Sequence, residues 1–321
     1  MNGYRAPGWL PGGNLQTIWP ALVSPPPTRV LPAYTRERWD TPDGDFVDVD
    51  FQAGQPGQPA LVLFHGLESS STSHYALAFA HAARERGWAF TVPHFRGCSG
   101  ELNRGPRAYH SGDFEEVGWM LQRLRQHHGQ PLLVAGVSLG GNALLRWAEE
   151  AGDSASATAR AVAAVSAPVD LEAAGRAIER GFNRLVYTRM FLRSMKPKAL
   201  AKWDQHPGLF DRERLKAART LYEFDDVFTA PLHGFTGTQD YWNRASARPQ
   251  LARVRLPTLV LNARNDPFVP GDALPAVQDA GPWVTLWQPE DGGHVGFPGG
   301  RFPGHLMSLP SAVLGWLAQH R

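Results

Sequence analysis

Pro131-Leu132-Leu133-Val134-Ala135-Gly136-Val137-Ser138-Leu139-Gly140 is the stretch whose reading decides the fold. Its first half is an apolar run of the kind that forms a buried strand. Its second half reads G-x-S-x-G and opens a helix-like stretch, Leu139 to Ala151. A serine flanked by glycines at such a junction predicts a nucleophile elbow. The turn is sharp and strained, and a Cβ at the flanking positions would collide with neighbouring backbone.

Outward from the elbow, further short apolar runs predict strands at Phe46 to Phe51, Ala60 to Phe64, Trp88 to Val92, Ala161 to Val165, Thr258 to Leu261 and Trp283 to Trp287. Helical spacing alternates with them at Tyr75 to Arg86, Phe114 to His128 and Ser311 to His320. The alternation implies βαβ units, hence one α/β domain with a mostly parallel sheet and helices on both faces. The rhythm breaks between Asp170 and Leu251, a stretch with helical patches, scattered aromatics and no evident strand. It predicts a helical cap or lid inserted at 170–251, over the carboxyl edge of the sheet where ligands of such folds bind.

A serine hydroxyl is a weak nucleophile at neutral pH, so the elbow needs a histidine as base and an acid to orient that histidine. In this architecture they follow the serine in the order acid, then histidine, on loops after later strands. Asp266 follows the run Thr258 to Leu261, and His294 follows Trp283 to Trp287 after two glycines. Their spacing of 28 positions leaves room for the elements of one βα unit. Asp291 and Asp272 compete as the acid, and His305 as the base, but placement favours Asp266 and His294. Negative charge developing on the substrate needs preorganised donors. The backbone N–H of Leu139 is expected to be one and that of Leu67, in His65-Gly66-Leu67-Glu68 after the early strand, the other. Gly66 would let the backbone approach a substrate closely.

Other residues read more plainly. His65, His94 and His110 lack paired ligand spacing on one element and predict hydrogen-bonded loop residues, so no metal and no cofactor is expected. Arg96, Tyr109 and Asn142 are expected to buttress loops. Cys98, the single cysteine, forms no intrachain disulfide and reads as a small loop or core residue. Aromatics of the insertion, such as Trp203, Phe224, Phe228 and Trp242, read as core, with some lining an acyl pocket.

Composition excludes several classes. The 321 residues carry 32 basic and 30 acidic side chains without a long block of either sign, which gives no reason to expect a nucleic-acid partner. The stretch Met1 to Pro27 has one basic residue and is broken by prolines, unlike a signal peptide. No apolar run approaches the length of a membrane span. The default expectation is a cytoplasmic protein.

Several motifs carry a resemblance. His65-Gly66-Leu67-Glu68, Phe95-Arg96-Gly97-Cys98-Ser99-Gly100-Glu101, Tyr109-His110-Ser111-Gly112, the elbow with Gly141-Asn142, and Gly13-Asn14-Leu15-Gln16-Thr17-Ile18 together resemble the YheT/Emb8-type α/β-hydrolases. The resemblance implies an α/β-hydrolase fold, a Ser138, Asp266, His294 triad and carboxylic-ester hydrolysis. An acyltransferase could use the same triad, and a binding protein could keep the fold without turnover. A dehalogenase or epoxide hydrolase would want a carboxylate at the elbow, which Ser138 disfavours.

Overall fold

The strand that leads into Ser138 lies in the middle of an eight-stranded sheet. The computed structural model describes residues 3–24 and 32–320; the proline cluster at Pro25 to Pro27 lies outside them. In chain order the strands are β1 (Thr35–Asp40), β2 (Phe46–Gln52), β3 (Ala60–Phe64), β4 (Ala89–Pro93), β5 (Leu132–Val137), β6 (Ala159–Val165), β7 (Thr258–Leu261) and β8 (Val284–Trp287). Their order across the sheet is β1-β2-β4-β3-β5-β6-β7-β8. From β4 to β8 all pairings are parallel, whereas β1 with β2 and β2 with β4 are antiparallel.

Side chains alternate between the two faces, and both faces are buried. Leu61, Leu63, Leu133, Ala135 and Val137 join a cluster covered by the helices α2 (His74–Glu85) and Ser308–Leu317. Val62, Phe64, Leu132 and Val134 join the opposite cluster, under α3 (Phe114–His128) and α4 (Leu139–Ala151). A strand buried on both sides must be apolar at every position, which is why β3 and β5 read as unbroken runs.

Strand β1 escaped the sequence reading because Thr-Arg-Glu-Arg-Trp-Asp is an edge strand with little apolar content. Cross-strand ion pairs hold it: Arg36 with Asp50 at 2.7 Å and Arg38 with Asp48 at 2.8 Å, in direct register. The βα unit expected between acid and base is incomplete. After β7 come only short turns at Gly271–Ala273 and Val277–Asp279 before β8. Pro267, Pro270 and Pro275 explain the missing helix, since each removes an N–H donor and restricts the residue before it. The C-terminal helix begins three residues earlier than its spacing suggested, at Ser308, and a 3₁₀ turn at Ala318–His320 carries it to the expected end.

Between β6 and β7 the chain is helical: Leu171–Ile178, then consecutive turns from Gly181 to Gln205, then Arg212–Ala217 and Thr238–Ala245, with shorter turns between. Among the described residues, no helix is long and apolar enough to cross a membrane.

Candidate active site

Ser138 sits where β5 becomes α4, with φ 54° and ψ −121°. That conformation costs a non-glycine residue about 1–3 kcal/mol and persists only where surrounding structure over-determines it. Here the Ser138 N–H donates to Val165 O at 2.8 Å, and its carbonyl accepts from the N–H groups of Gly141 and Asn142 at 2.9 and 3.1 Å. The close approach of β5, β3 and α4 explains the glycines. A Cβ on Gly136 would lie 2.8 Å from Gly141 Cα, and one on Gly140 would lie 2.7 Å from Phe64 O.

The three residues expected to act together meet in one hydrogen-bonded line. Ser138 Oγ lies 2.9 Å from His294 Nε2, and His294 Nδ1 lies 2.9 Å from Asp266 Oδ2. Because a carboxylate can only accept, Nδ1 carries the proton and Nε2 is left to accept from the serine hydroxyl. Asp266 is fully buried at its side chain. Its other oxygen accepts from the N–H groups of Phe268 and Val269 at 2.7 and 3.2 Å, so both oxygens are oriented. The rivals lie elsewhere: Asp291 accepts from Asn265 Nδ2 at 3.3 Å, Asp272 is exposed, and His305 bridges to Gly299.

Beside the elbow, the loop after β3 abuts the serine: a Cβ on Gly66 would lie 3.2 Å from Ser138 Cβ. The glycine thus serves contact with Ser138 itself. The loop is pinned at several points. Phe95 N–H donates to His65 Nε2 at 3.1 Å, so His65 Nδ1–H donates to Gly66 O at 2.8 Å. Burial and the neighbouring His94 push the His65 pKa down to about 3, which keeps that neutral tautomer. Gly66 N–H donates to Tyr75 Oη at 2.8 Å and Glu68 N–H to Tyr109 Oη at 2.9 Å. Among the described residues, the Leu67 and Leu139 N–H groups have no acceptor, and both residues line the same cavity as Ser138 and His294.

The buttressing expected of three residues takes definite form. Asn142, in the first turn of α4, donates to Ser111 O and Ala245 O and accepts from Ala247 N–H. The buried Arg96 guanidinium holds Glu116, Asp43 and Asp45. Tyr109 also donates to Glu68 Oε1 at 2.8 Å, and Glu68 pairs with Lys198 at 2.9 Å. Cys98 is buried, and burial pushes its thiol up to about 12, away from nucleophilic chemistry.

One element gains a role that the sequence did not suggest. Helix α1 (Gly13–Leu22), which begins in the run Gly13 to Ile18, lies against the loops that carry Asp266 and His294. Thr17 Oγ1 accepts the His294 N–H at 2.8 Å. Gln16 Oε1 accepts from Gly292 N–H at 2.8 Å and from Asn265 Nδ2 at 2.9 Å. The loop carrying His294 needs such support, because Gly293, Val295 and Phe297 have φ values of 60°, 61° and 42°. The family resemblance marked the run Gly13 to Ile18, yet its packing partner lies some 280 positions away and no local pattern reports it.

A cavity of about 170 Å³ opens beneath the helices that join β6 to β7. Ser138 and His294 lie in its wall, and Leu171, Ile178, Phe191, Met195, Phe224 and Phe228 give it an apolar lining. Asp225 also lines it, accepting from Thr229 Oγ1 at 2.6 Å and Trp242 Nε1 at 2.9 Å, and burial raises its pKa to about 6.

Residues 59–300 match the alpha/beta hydrolase fold family. YheT of Escherichia coli (strain K12), whose name carries an esterase assignment, is 40% identical over 96% of this chain and 90% of its own length. The phospholipase ABHD3 of Mus musculus is 29% identical over 88% of this chain and 70% of its own. Among solved structures, the Pyrococcus furiosus esterase Pf2001 superposes with a TM-score of 0.55 at 17% identity, covering 92% of this chain and 99% of that one.

Proposed function

Since this chain belongs to the alpha/beta hydrolase fold family, we propose that it is a serine hydrolase that cleaves carboxylic esters through an acyl-enzyme. The observation that carries this reading is the line Ser138, His294, Asp266, at 2.9 Å per link, opening on an apolar cavity. The names of the relatives, an esterase assignment and a phospholipase, support the same bond class.

In this mechanism His294 Nε2 takes the proton of Ser138 Oγ as that oxygen attacks the ester carbonyl. Asp266 stabilises the imidazolium through Nδ1–H, and the Leu67 and Leu139 N–H groups receive the carbonyl oxygen as it becomes negative. The tetrahedral intermediate collapses, the alkoxide leaves with the proton from Nε2, and Ser138 is left acylated. Water then attacks the acyl carbon, giving its proton to Nε2, and the acid departs as the serine recovers its own. The helices between β6 and β7 act as a cap whose apolar inner surface receives the acyl chain.

The test is a panel of esters of increasing acyl length, run on wild type and Ser138→Ala, with fluorophosphonate labelling of both. Wild type hydrolyses the esters and is labelled, while Ser138→Ala does neither. Full activity in Ser138→Ala would overturn the proposal.

A further inference from the structure

The helical run from Gly181 to Gln205 has two faces with different surroundings. Its inner face, with Phe191, Met195 and Ala199, lines the cavity that holds Ser138. Its outer face leaves Phe182, Leu185 and Met190 51%, 58% and 52% exposed. Arg180, Arg184, Arg189 and Arg193 are exposed among them. From Arg180 to Trp203 the chain contains no acidic residue. Among the described residues none of these four guanidinium groups enters a salt bridge or a side-chain hydrogen bond. Glu179, the adjacent carboxylate, accepts instead from Tyr222 N–H at 2.8 Å.

Helix α1 packs beside this run. Tyr187 Oη donates to Asn14 Oδ1 at 2.9 Å, and Ile18 packs against the buried cluster that contains Tyr187 and Phe268. Helix α1 has no charged side chain and exposes Leu15 and Leu22, with Val23 exposed just beyond its end. An acidic protein or a nucleic acid would complement the arginines but leave the interleaved phenylalanine, leucine and methionine side chains in water. An anionic lipid surface satisfies both, because phosphate groups pair with guanidinium while apolar side chains enter the acyl boundary.

We propose that the outer face of residues 180–193, together with the exposed side of α1, docks this protein on anionic lipid surfaces. Docking there sets the cavity beside ester chains held in the lipid, a benefit that rests on the ester-hydrolase reading. The binding itself does not depend on turnover.

The experiment is vesicle flotation at low salt with phosphatidylglycerol/phosphatidylcholine vesicles and with phosphatidylcholine alone. The proteins are wild type and the triple variant Arg184→Gln, Arg189→Gln, Arg193→Gln, each checked for an unchanged thermal midpoint. Each arginine near an anionic surface contributes about fivefold in affinity, so the triple variant loses roughly 100-fold on anionic vesicles. Its hydrolysis of a water-soluble short-chain ester stays at the wild-type rate. Raising the salt weakens the wild type toward its affinity for neutral vesicles. Absence of wild-type flotation with anionic vesicles, or equal flotation of the triple variant, overturns the proposal. Flotation without any ester hydrolysis would leave the docking face standing and sink the catalytic reading instead.

Discussion

Thr17→Val tests whether helix α1 sets the position of the histidine. Valine nearly matches threonine in volume but lacks the hydroxyl that accepts the His294 N–H at 2.8 Å. The hydroxyl's own proton goes to Gly13 O, a helix carbonyl, so the uncompensated loss falls on the histidine N–H. Leaving a largely buried donor without a partner costs about 1–3 kcal/mol. The loop carrying His294 has few ways to relax: Gly293, Val295 and Phe297 are at positive φ, and single side chains accept three successive N–H groups, Asn265 for Gly293, Thr17 for His294 and Ser166 for Val295. If most of the cost appears as displacement of the imidazole from Ser138, kcat falls by roughly 10- to 100-fold, at about 1.4 kcal/mol per factor of ten. Thr17 does not line the cavity, so KM changes by less than about threefold. The assay is steady-state hydrolysis of a chromogenic ester by wild type, Thr17→Val and Thr17→Ser, beside thermal denaturation of each. Thr17→Ser keeps the acceptor and recovers most of kcat. A Thr17→Val protein with the wild-type kcat, or a Thr17→Ser protein as slow as Thr17→Val, would refute the reasoning.

Asp266→Asn keeps one oxygen for the Phe268 and Val269 N–H groups and turns an NH₂ toward His294. That selects the imidazole tautomer with its proton on Nε2, so kcat drops by about 10⁴-fold while circular dichroism is unchanged. Gly140→Ala forces a Cβ to 2.7 Å from Phe64 O between a central strand and α4, costing about 3 kcal/mol or more and depressing the thermal midpoint and activity together. Gly315→Ala, exposed in a helix with open space around it, gains about 0.5–1 kcal/mol by the same measurement. For Asp225, burial raises the folded pKa to about 6 from 3.8, so the folded state binds the proton more tightly than the unfolded chain. Wild-type stability contributed by this group therefore falls as pH rises from about 4 to about 6. Asp225→Asn removes the penalty: its thermal midpoint exceeds that of wild type at pH 8, and the gap closes below about pH 4. A gap independent of pH would exclude burial of the charge as its cause.

The sequence by itself determined the central architecture and singled out Ser138, Asp266 and His294, which the fold brings into one hydrogen-bonded line, because both depend on local signals. Strands such as β3 and β5, buried on both faces, must be apolar at every position, and α3 and α4 were legible to the residue from their spacing. Ser138, Asp266 and His294 each stand at the carboxyl end of a strand, in an order that the connectivity of the sheet requires. Edge strand β1 was hidden, since its stability comes from ion pairs to β2 and not from apolar content. Only the tertiary structure decided how the site is held. Thr17, Tyr109 and Ser166 act through single hydroxyl groups on backbone N–H donors distant in sequence, and nothing local distinguishes such a hydroxyl from one facing water. The cavity likewise depends on how short helices joined by turns pack against one another, and helical periodicity marks a buried face without saying what covers it.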